Sequence, residues 1–212
     1  MALSPEVRDS ERKRIAQMVL DLVKDRGTEI SYSVALTESG LARSRFEEIF
    51  ADYDELFDAV AQVWLAPHMG VMEEVLASDL PPPRKMYEFF RRRFVLSRDR
   101  YRDDPQYFVL IAEMGAANFE KVRSYVDLAD HYLAELIVQA QADGYFPGLE
   151  IDEALSLINQ MISTYAIPDN IIYLGDKLTE EKLARIIDTM FVGLSGETGA
   201  QAQGVNTLRV LN

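Results

Sequence analysis

The chain has 212 residues, 48% of them apolar, and carries 22 Lys and Arg against 35 Asp and Glu for a net charge of −13. That length and apolar share suffice for a large helical domain with a smaller one attached, and the acidic balance excludes nucleic-acid binding through a global basic field. No cysteine is present, which excludes disulfides and thiolate chemistry and suits a cytoplasmic protein; no run of about 18 apolar residues implies a membrane span, and MALSPEVRDSERKR lacks the apolar segment of a secretory signal.

A first helix is expected from Pro5 or Ser10 to Arg26. Ile15, Met18, Val19, Leu22 and Val23 form one apolar stripe, and Gly27 ends it. Between Ile30 and Phe57 the pattern changes to two short helices around a tight turn. Ser31 is placed to cap a helix from Tyr32 to Glu38, and Gly40 supplies the left-handed backbone that closes it. A second short helix carries Phe46, Ile49 and Phe50. Phe46 and Phe50 lie four apart and face inward, leaving Arg43, Ser44, Arg45, Glu47 and Glu48 outside. Two helices joined by a short turn containing a glycine form a helix-turn-helix, whose second helix can enter a major groove. Residues 1–60 hold eight Lys and Arg against thirteen Asp and Glu. DNA contact therefore has to rest on a local patch of Arg12, Lys13 and Arg14 with Arg43 and Arg45. The competing reading of that surface is a solvated helix with pairs such as Arg43–Glu47.

A long helix follows from about Tyr53 to Ala77, with a kink expected at Pro67 near Gly70. The prolines of SDLPPP, residues 78–83, mark a boundary. A helix from Arg84 to about Arg102 places Met86, Phe89, Phe90 and Phe94 on one face and carries a cluster of arginines. Such a cluster is either an anion site or a set of partners for the acidic excess. Asp103-Asp104-Pro105 starts a helix to Ala117 that is apolar nearly all round, with Glu113 either facing a cavity or exposed. The next helix runs from Phe119 to Asp143. Asp127 and His131 share a face there but have no third ligand, so no metal is expected. Asp152 is placed to cap a helix to about Ile167. Pro168-Asp169-Asn170 interrupts before Ile171 to Leu174, and Thr179 opens the last helix. The stripes Leu155, Ile158, Ile162 and Leu183, Ile187, Met190, Phe191 are wide for edge helices. They predict a homodimer interface built as a four-helix bundle, with internal core as the alternative. Residues 195–212 are expected to be a flexible tail.

No period-2 alternation suggests a strand, and no phosphate-binding loop, nucleophile elbow or zinc motif occurs. The fold expected is all-α, with about nine helices. It comprises a helix-turn-helix head at residues 1–57, a larger ligand-binding and dimerisation domain at 58–194, and the tail.

The head resembles the DNA-binding segment of the tetracycline-repressor-type family of bacterial transcriptional regulators. The resemblance covers residues 10–57 and rests on Gly40, Leu41, Phe46, Phe50 and Leu56. Ala42 stands where that family has a capping Ser or Thr, Glu47 where it has Tyr, and Tyr53 where it has Lys. The resemblance assigns DNA contact to Ser31, Ser33, Arg43, Ser44, Arg45, Glu47 and Tyr53, joined by Arg12 from the first helix. It implies a ligand-responsive regulator, a repressor, that binds a near-palindromic operator as a homodimer and is released by a small apolar or aromatic effector. The cavity for that effector would draw on Trp64, Phe90, Phe94, Tyr107, Phe108, Tyr125, Tyr132 and Tyr165. No cofactor and no enzymatic activity are implied. A different class also fits: a ligand-binding or protein-interaction module that kept the fold and lost DNA reading.

Overall fold

Helix punctuation decides most element boundaries in the computed structural model, which describes residues 4–196. The Ser4 hydroxyl accepts from Val7 N and Pro5 sits in the first turn, so α1 runs Pro5–Arg26 and stops at Gly27, whose φ is +61°. Ser31 caps α2 (Tyr32–Glu38), and Gly40 at φ +68° turns the chain into α3 (Arg43–Ile49). Asp52 caps α4 (Tyr53–Ala77) through Glu55 N. There follow α5 (Pro82–Asp103), α6 (Pro105–Ala117, capped by Asp104), α7 (Phe119–Ala142), α8 (Ile151–Ala166), α9 (Pro168–Leu174), a 3-10 turn (Gly175–Lys177) and α10 (Glu180–Leu194, capped by Thr179).

The described residues thus form ten α-helices, against about nine expected, and no strand occurs among them. Pro82 and Pro168 do not interrupt, as their sequence context suggests, but each opens a helix; a first-turn proline gives up no intrahelical bond there. Asp152 is not a cap. It lies inside the first turn of α8, behind Glu150, where its charge still faces the helix dipole. Pro67 does not end α4, because the segments on either side of it are anchored in apolar cores. Of the expected tail, Ser195 accepts a hydrogen bond from Phe146 N at 3.3 Å; everything from residue 197 onward lies outside the described residues.

Two apolar clusters organise the chain. One joins Ile15 and Val19 of α1, Phe46 and Ile49 of α3, Phe50, and Leu56, Phe57 and Val60 of α4. Met114 of α6 belongs to it as well, with Leu110 and Ile111 packed against it, so the head leans on α6. The other joins Met72 and Val75 at the far end of α4 with Phe89 and Phe94 of α5, Leu133 and Ile137 of α7, Ile158 and Ile162 of α8 and Ile187 of α10. α4 is shared by both.

The stripes expected to pair two chains face inward. Ile158, Ile162, Leu183, Ile187, Met190 and Phe191 are buried in the protomer's own core and Leu155 packs against it. Their width arises because α8 touches α5 and α7, and α10 touches α5 and α8. All but Leu155, which is part-buried at its edge, are therefore side chains of the protomer's own core.

The position of α3 is fixed at its C-terminal end, where helix carbonyls lack intrahelical donors. Arg12 Nη1 donates to Ile49 O at 2.7 Å and to Glu55 Oε2 at 3.1 Å, and its Nη2 donates to Glu55 O at 3.2 Å. The Tyr32 hydroxyl donates to Phe50 O at 2.6 Å. Arg12→Met is expected to cost about 2–3 kcal/mol of stability by urea unfolding, since it deletes charge-assisted bonds to part-buried groups. Lys13→Met, which removes only an exposed pair with Asp9, should stay within about 0.5 kcal/mol.

Candidate DNA-reading face and ligand cavity

The outer side of α3 presents Arg43, Ser44, Glu47 and Glu48 to solvent, with Arg45 half-buried beside them. Arg43 Nε donates to Glu47 Oε1 at 2.7 Å, and Arg45 Nη1 donates to Glu48 Oε2 at 2.8 Å. Both guanidiniums are thus paired along their own helix. Ser31 is engaged as the α2 cap and its hydroxyl lies 3.1 Å from that of Ser33. Two expected contacts are placed elsewhere. Arg12 is the strut under α3 described above. Tyr53 is part-buried, its ring tilted on Phe57 and covered by Lys121 of α7, which is itself bonded to Asp54 at 2.6 Å. Of the eight residues assigned to DNA, the exposed ones that remain together are Ser33, Arg43, Ser44 and Glu47, with Arg45 at the edge.

A cavity of about 580 Å³ lies between head and body. α4 lines it with Phe57, Val60, Trp64, Leu65 and His68, and Leu20 and Ile30 reach it from the head. α6 contributes Phe108, Ile111, Ala112 and Gly115, and α7 contributes Val122, Tyr125, Ala129 and Leu133. The side towards α8 and α9 ends in Tyr165 and the exposed residues Ile167, Pro168 and Asp169. Five of the expected aromatics border it: Trp64, Phe90, Phe108, Tyr125 and Tyr165. Three do not. Phe94 is buried behind Tyr165, with ring centroids 5.0 Å apart. Tyr107 stands edge-on to the outer side of Trp64 at 5.4 Å, and burial pushes its hydroxyl up to about 12. Tyr132 points outward and donates to Glu73 at 3.0 Å. Glu113 is exposed and takes no part in the lining.

Four polar side chains in this space belong to none of the expected lining residues, although Arg93 and Arg100 fall in the arginine cluster that offers an anion site. They are His68 on α4, with Arg93, Ser97 and Arg100 on α5; Asp130, Asn159, Ser163 and Asp169 complete the polar lining from α7, α8 and α9. The three on α5 follow i, i+4, i+7 spacing, the one signal by which they could have been grouped. His68 is 7% exposed. Burial, reinforced by the positive charges of Arg100 and Arg93, drives its pKa down to about 3. The imidazole is therefore neutral in the folded protein at neutral pH, while the unfolded chain takes up a proton near 6.5. Its contribution is fully present above pH 6.5 and is lost as the pH falls from there towards 3. Each unit in that window should cost about 1.4 kcal/mol, so about 2 kcal/mol is lost between pH 6.5 and 5. His68→Phe should flatten that part of the stability–pH curve measured by denaturant titration; an unchanged slope would assign the loss to other groups.

The arginines of α5 are otherwise paired with carboxylates. Arg84, Arg91 and Arg92 converge on Glu88, Arg91 and Arg98 reach Glu180 of α10, and Arg102 pairs with Asp176. His131 pairs with Glu135 at 2.9 Å, and no group of metal-ligating side chains gathers among the described residues.

The description of the tetracyclin repressor-like C-terminal domain matches residues 82–187, half of the chain, from the start of α5 into α10. No curated protein matches the chain. No helix among the described residues is long and apolar enough to cross a membrane. With that match following directly on a helix-turn-helix head and the α4 that carries it, the chain belongs to the tetracycline-repressor-like family of regulators.

Proposed function

We propose that the chain is a cytoplasmic, dimeric repressor whose hold on a near-palindromic operator is released when a small apolar or aromatic molecule enters the cavity. The observation that supports this best is the cavity's place in the fold. It is walled by the same helix, α4, whose first turns hold the core of the reading head. A ligand that fits only one arrangement of α4 against α6 and α7 shifts the population of head positions by its differential affinity for the two. The test is a salt-dependent gel shift with the chain's own upstream DNA, with and without compounds that raise the melting temperature. A saturable complex released by those compounds supports the proposal; a stabilising compound that leaves a specific complex intact overturns the release step.

Two heads require two chains, and the pairing surface has to come from what the protomer leaves exposed. Met161 of α8 is 40% exposed and Val192 of α10 is 55% exposed, on the sides of those helices turned away from the core. The double variant Met161→Glu, Val192→Glu is expected to sediment as a monomer with its helical circular dichroism kept. A dimer mass in that variant would move the interface to another face.

A second reading has its own support. With Arg43 and Arg45 tied to Glu47 and Glu48, and with Arg12 and Tyr53 turned to structural use, few groups remain for phosphates. A module that binds ligand without reading DNA would give no saturable complex even at low salt.

A further inference from the structure

Two cations of α5 face the cavity without a counter-charge. Arg93 and Arg100 lie seven residues apart on one side of the helix, and neither forms an ion pair among the described residues, unlike Arg84, Arg91, Arg92, Arg98 and Arg102. Arg93 Nε is buried without a hydrogen-bond partner. Its Nη2 donates to the Tyr125 hydroxyl at 3.3 Å, and its guanidinium stands 5.0 Å from the Phe89 ring centroid. Arg100 lies 4.0 Å over the Trp64 ring and spends one N–H on Trp64 O at 3.0 Å. Burial holds Arg100 below its ordinary pKa, which shows that this charge is poorly solvated. Both residues are part-buried, and a charge partly withdrawn from water without a partner carries an uncompensated cost.

The lining carboxylates do not supply that partner. Asp130 accepts from Asn159 Nδ2 at 2.8 Å, and Asp169 is exposed on α9. Burial depresses His68, and the positive charges of Arg100 and Arg93 add to that. The lining therefore sets two unpaired guanidiniums beside the apolar surfaces of Phe90, Ile111, Val122, Ala129 and Leu133, with Asp130 tied to Asn159 on α8. The Tyr125 hydroxyl accepts from Arg93, so its own proton is available to a further acceptor.

We infer that the cavity is built for an amphipathic anion: an apolar body with one carboxylate or phosphate head, held by Arg93 and Arg100 with Tyr125 donating. A guanidinium offers parallel N–H donors matched to either head group, and it gains most where water is excluded. The inference rests on the cavity being the effector site, and it names the chemistry of that effector.

The test uses the full chain and four ten-carbon probes below their micellar concentrations: decanoate, decyl phosphate, decanol and decylamine. Trp64 is the single tryptophan and lines the cavity, so its fluorescence reports occupancy, with calorimetry as a second readout. One or both anions should bind at least about ten-fold more tightly than decanol, with decylamine weakest; the tighter anion identifies the head group. Arg93→Gln and Arg100→Gln should reduce anion binding to the level of decanol, while Arg93→Lys keeps part of the preference. Melting curves of the unliganded variants establish that they fold. Decanol binding as tightly as both anions, or undiminished anion binding in both glutamine variants, overturns the anion site and leaves the apolar cavity standing. Failure of all four probes to bind, with the fold intact, overturns the cavity as an effector site and the inference with it.

Discussion

Arg43→Ala and Arg45→Ala are each expected to weaken specific operator binding by roughly 10- to 100-fold, while the double variant Glu47→Gln, Glu48→Gln strengthens it by about ten-fold at low salt. The first magnitude is that of one guanidinium lost from a base edge, about 1–3 kcal/mol. The second follows from the pairs on α3. Each arginine of the reading helix is held by a glutamate three or four residues further on, at 2.7 and 2.8 Å. Exposed pairs of this kind contribute only a few tenths of a kcal/mol, so an arginine can leave its glutamate readily. In the proposed complex the carboxylates would nevertheless stay beside the phosphates and repel them at low ionic strength. Salt dependence separates the roles. If an arginine binds phosphate, its removal should lower affinity for all sequences and reduce the salt slope by about 0.9. If it reads a base, specificity at one operator position should relax. Equal binding by wild type and all three variants would rule out this face of α3 as the reader.

Glu88→Ala is expected to cost about 3–5 kcal/mol, the largest loss anticipated from a single polar side chain here. Glu88 is 4% exposed, forms an ion pair with Arg84 at 2.6 Å, and accepts from Arg91 at 2.9 and 3.0 Å and from Arg92 at 3.1 Å. Burial alone would raise its pKa, but the bonds from Arg91 and Arg92 hold it below the usual carboxylate range. Arg91 carries the network on to Glu180 of α10 at 3.0 Å, so the centre that Glu88 forms also ties α5 to the last helix. Because the folded pKa is depressed, this stabilisation is present above the unfolded value near 4.3 and is lost as the pH falls below it. Urea unfolding of Glu88→Ala should show the full loss. Glu181→Ala, which removes an exposed pair with Arg185, should change stability by less than about 0.5 kcal/mol. A small effect at Glu88 would mean that the arginines are solvated well enough without it.

Much of the fold was legible because its signals are local. Ser31, Asp104 and Thr179 each cap the helix they were expected to start, and Gly27 and Gly40 end helices through positive φ. The head could be recognised from Gly40, Phe46 and Phe50 because a helix-turn-helix of this size has few ways to bury two aromatics. Partners distant in the chain were harder to foresee. The stripe on α8 looks the same whether it meets another chain or α5 and α7, and only the tertiary arrangement decides. Arg12 looked like a phosphate contact because nothing in the sequence announces that Ile49 O lies within reach of it. The cavity aromatics were half legible: Trp64 and Phe94 look alike in sequence, yet one borders open space and the other is packed behind Tyr165. Arg93 and Arg100 were hidden among arginines that differ from them only in having carboxylate partners.

The length of α4 has a mechanical consequence. At about 1.5 Å per residue, the 15 steps from Tyr53 to His68 extend roughly 22 Å between the cavity's His68 and the head. A rigid rod of that length pivoting near His68 by about 5° sweeps its tip through about 2 Å. The pivot falls beside Pro67, where the helix lacks one internal N–H and bends at least cost. Side-chain adjustments of a few tenths of an ångström around a guest at Trp64 or His68 would thus arrive at α3 several times larger, enough in the dimer proposed above to shift the two heads relative to each other.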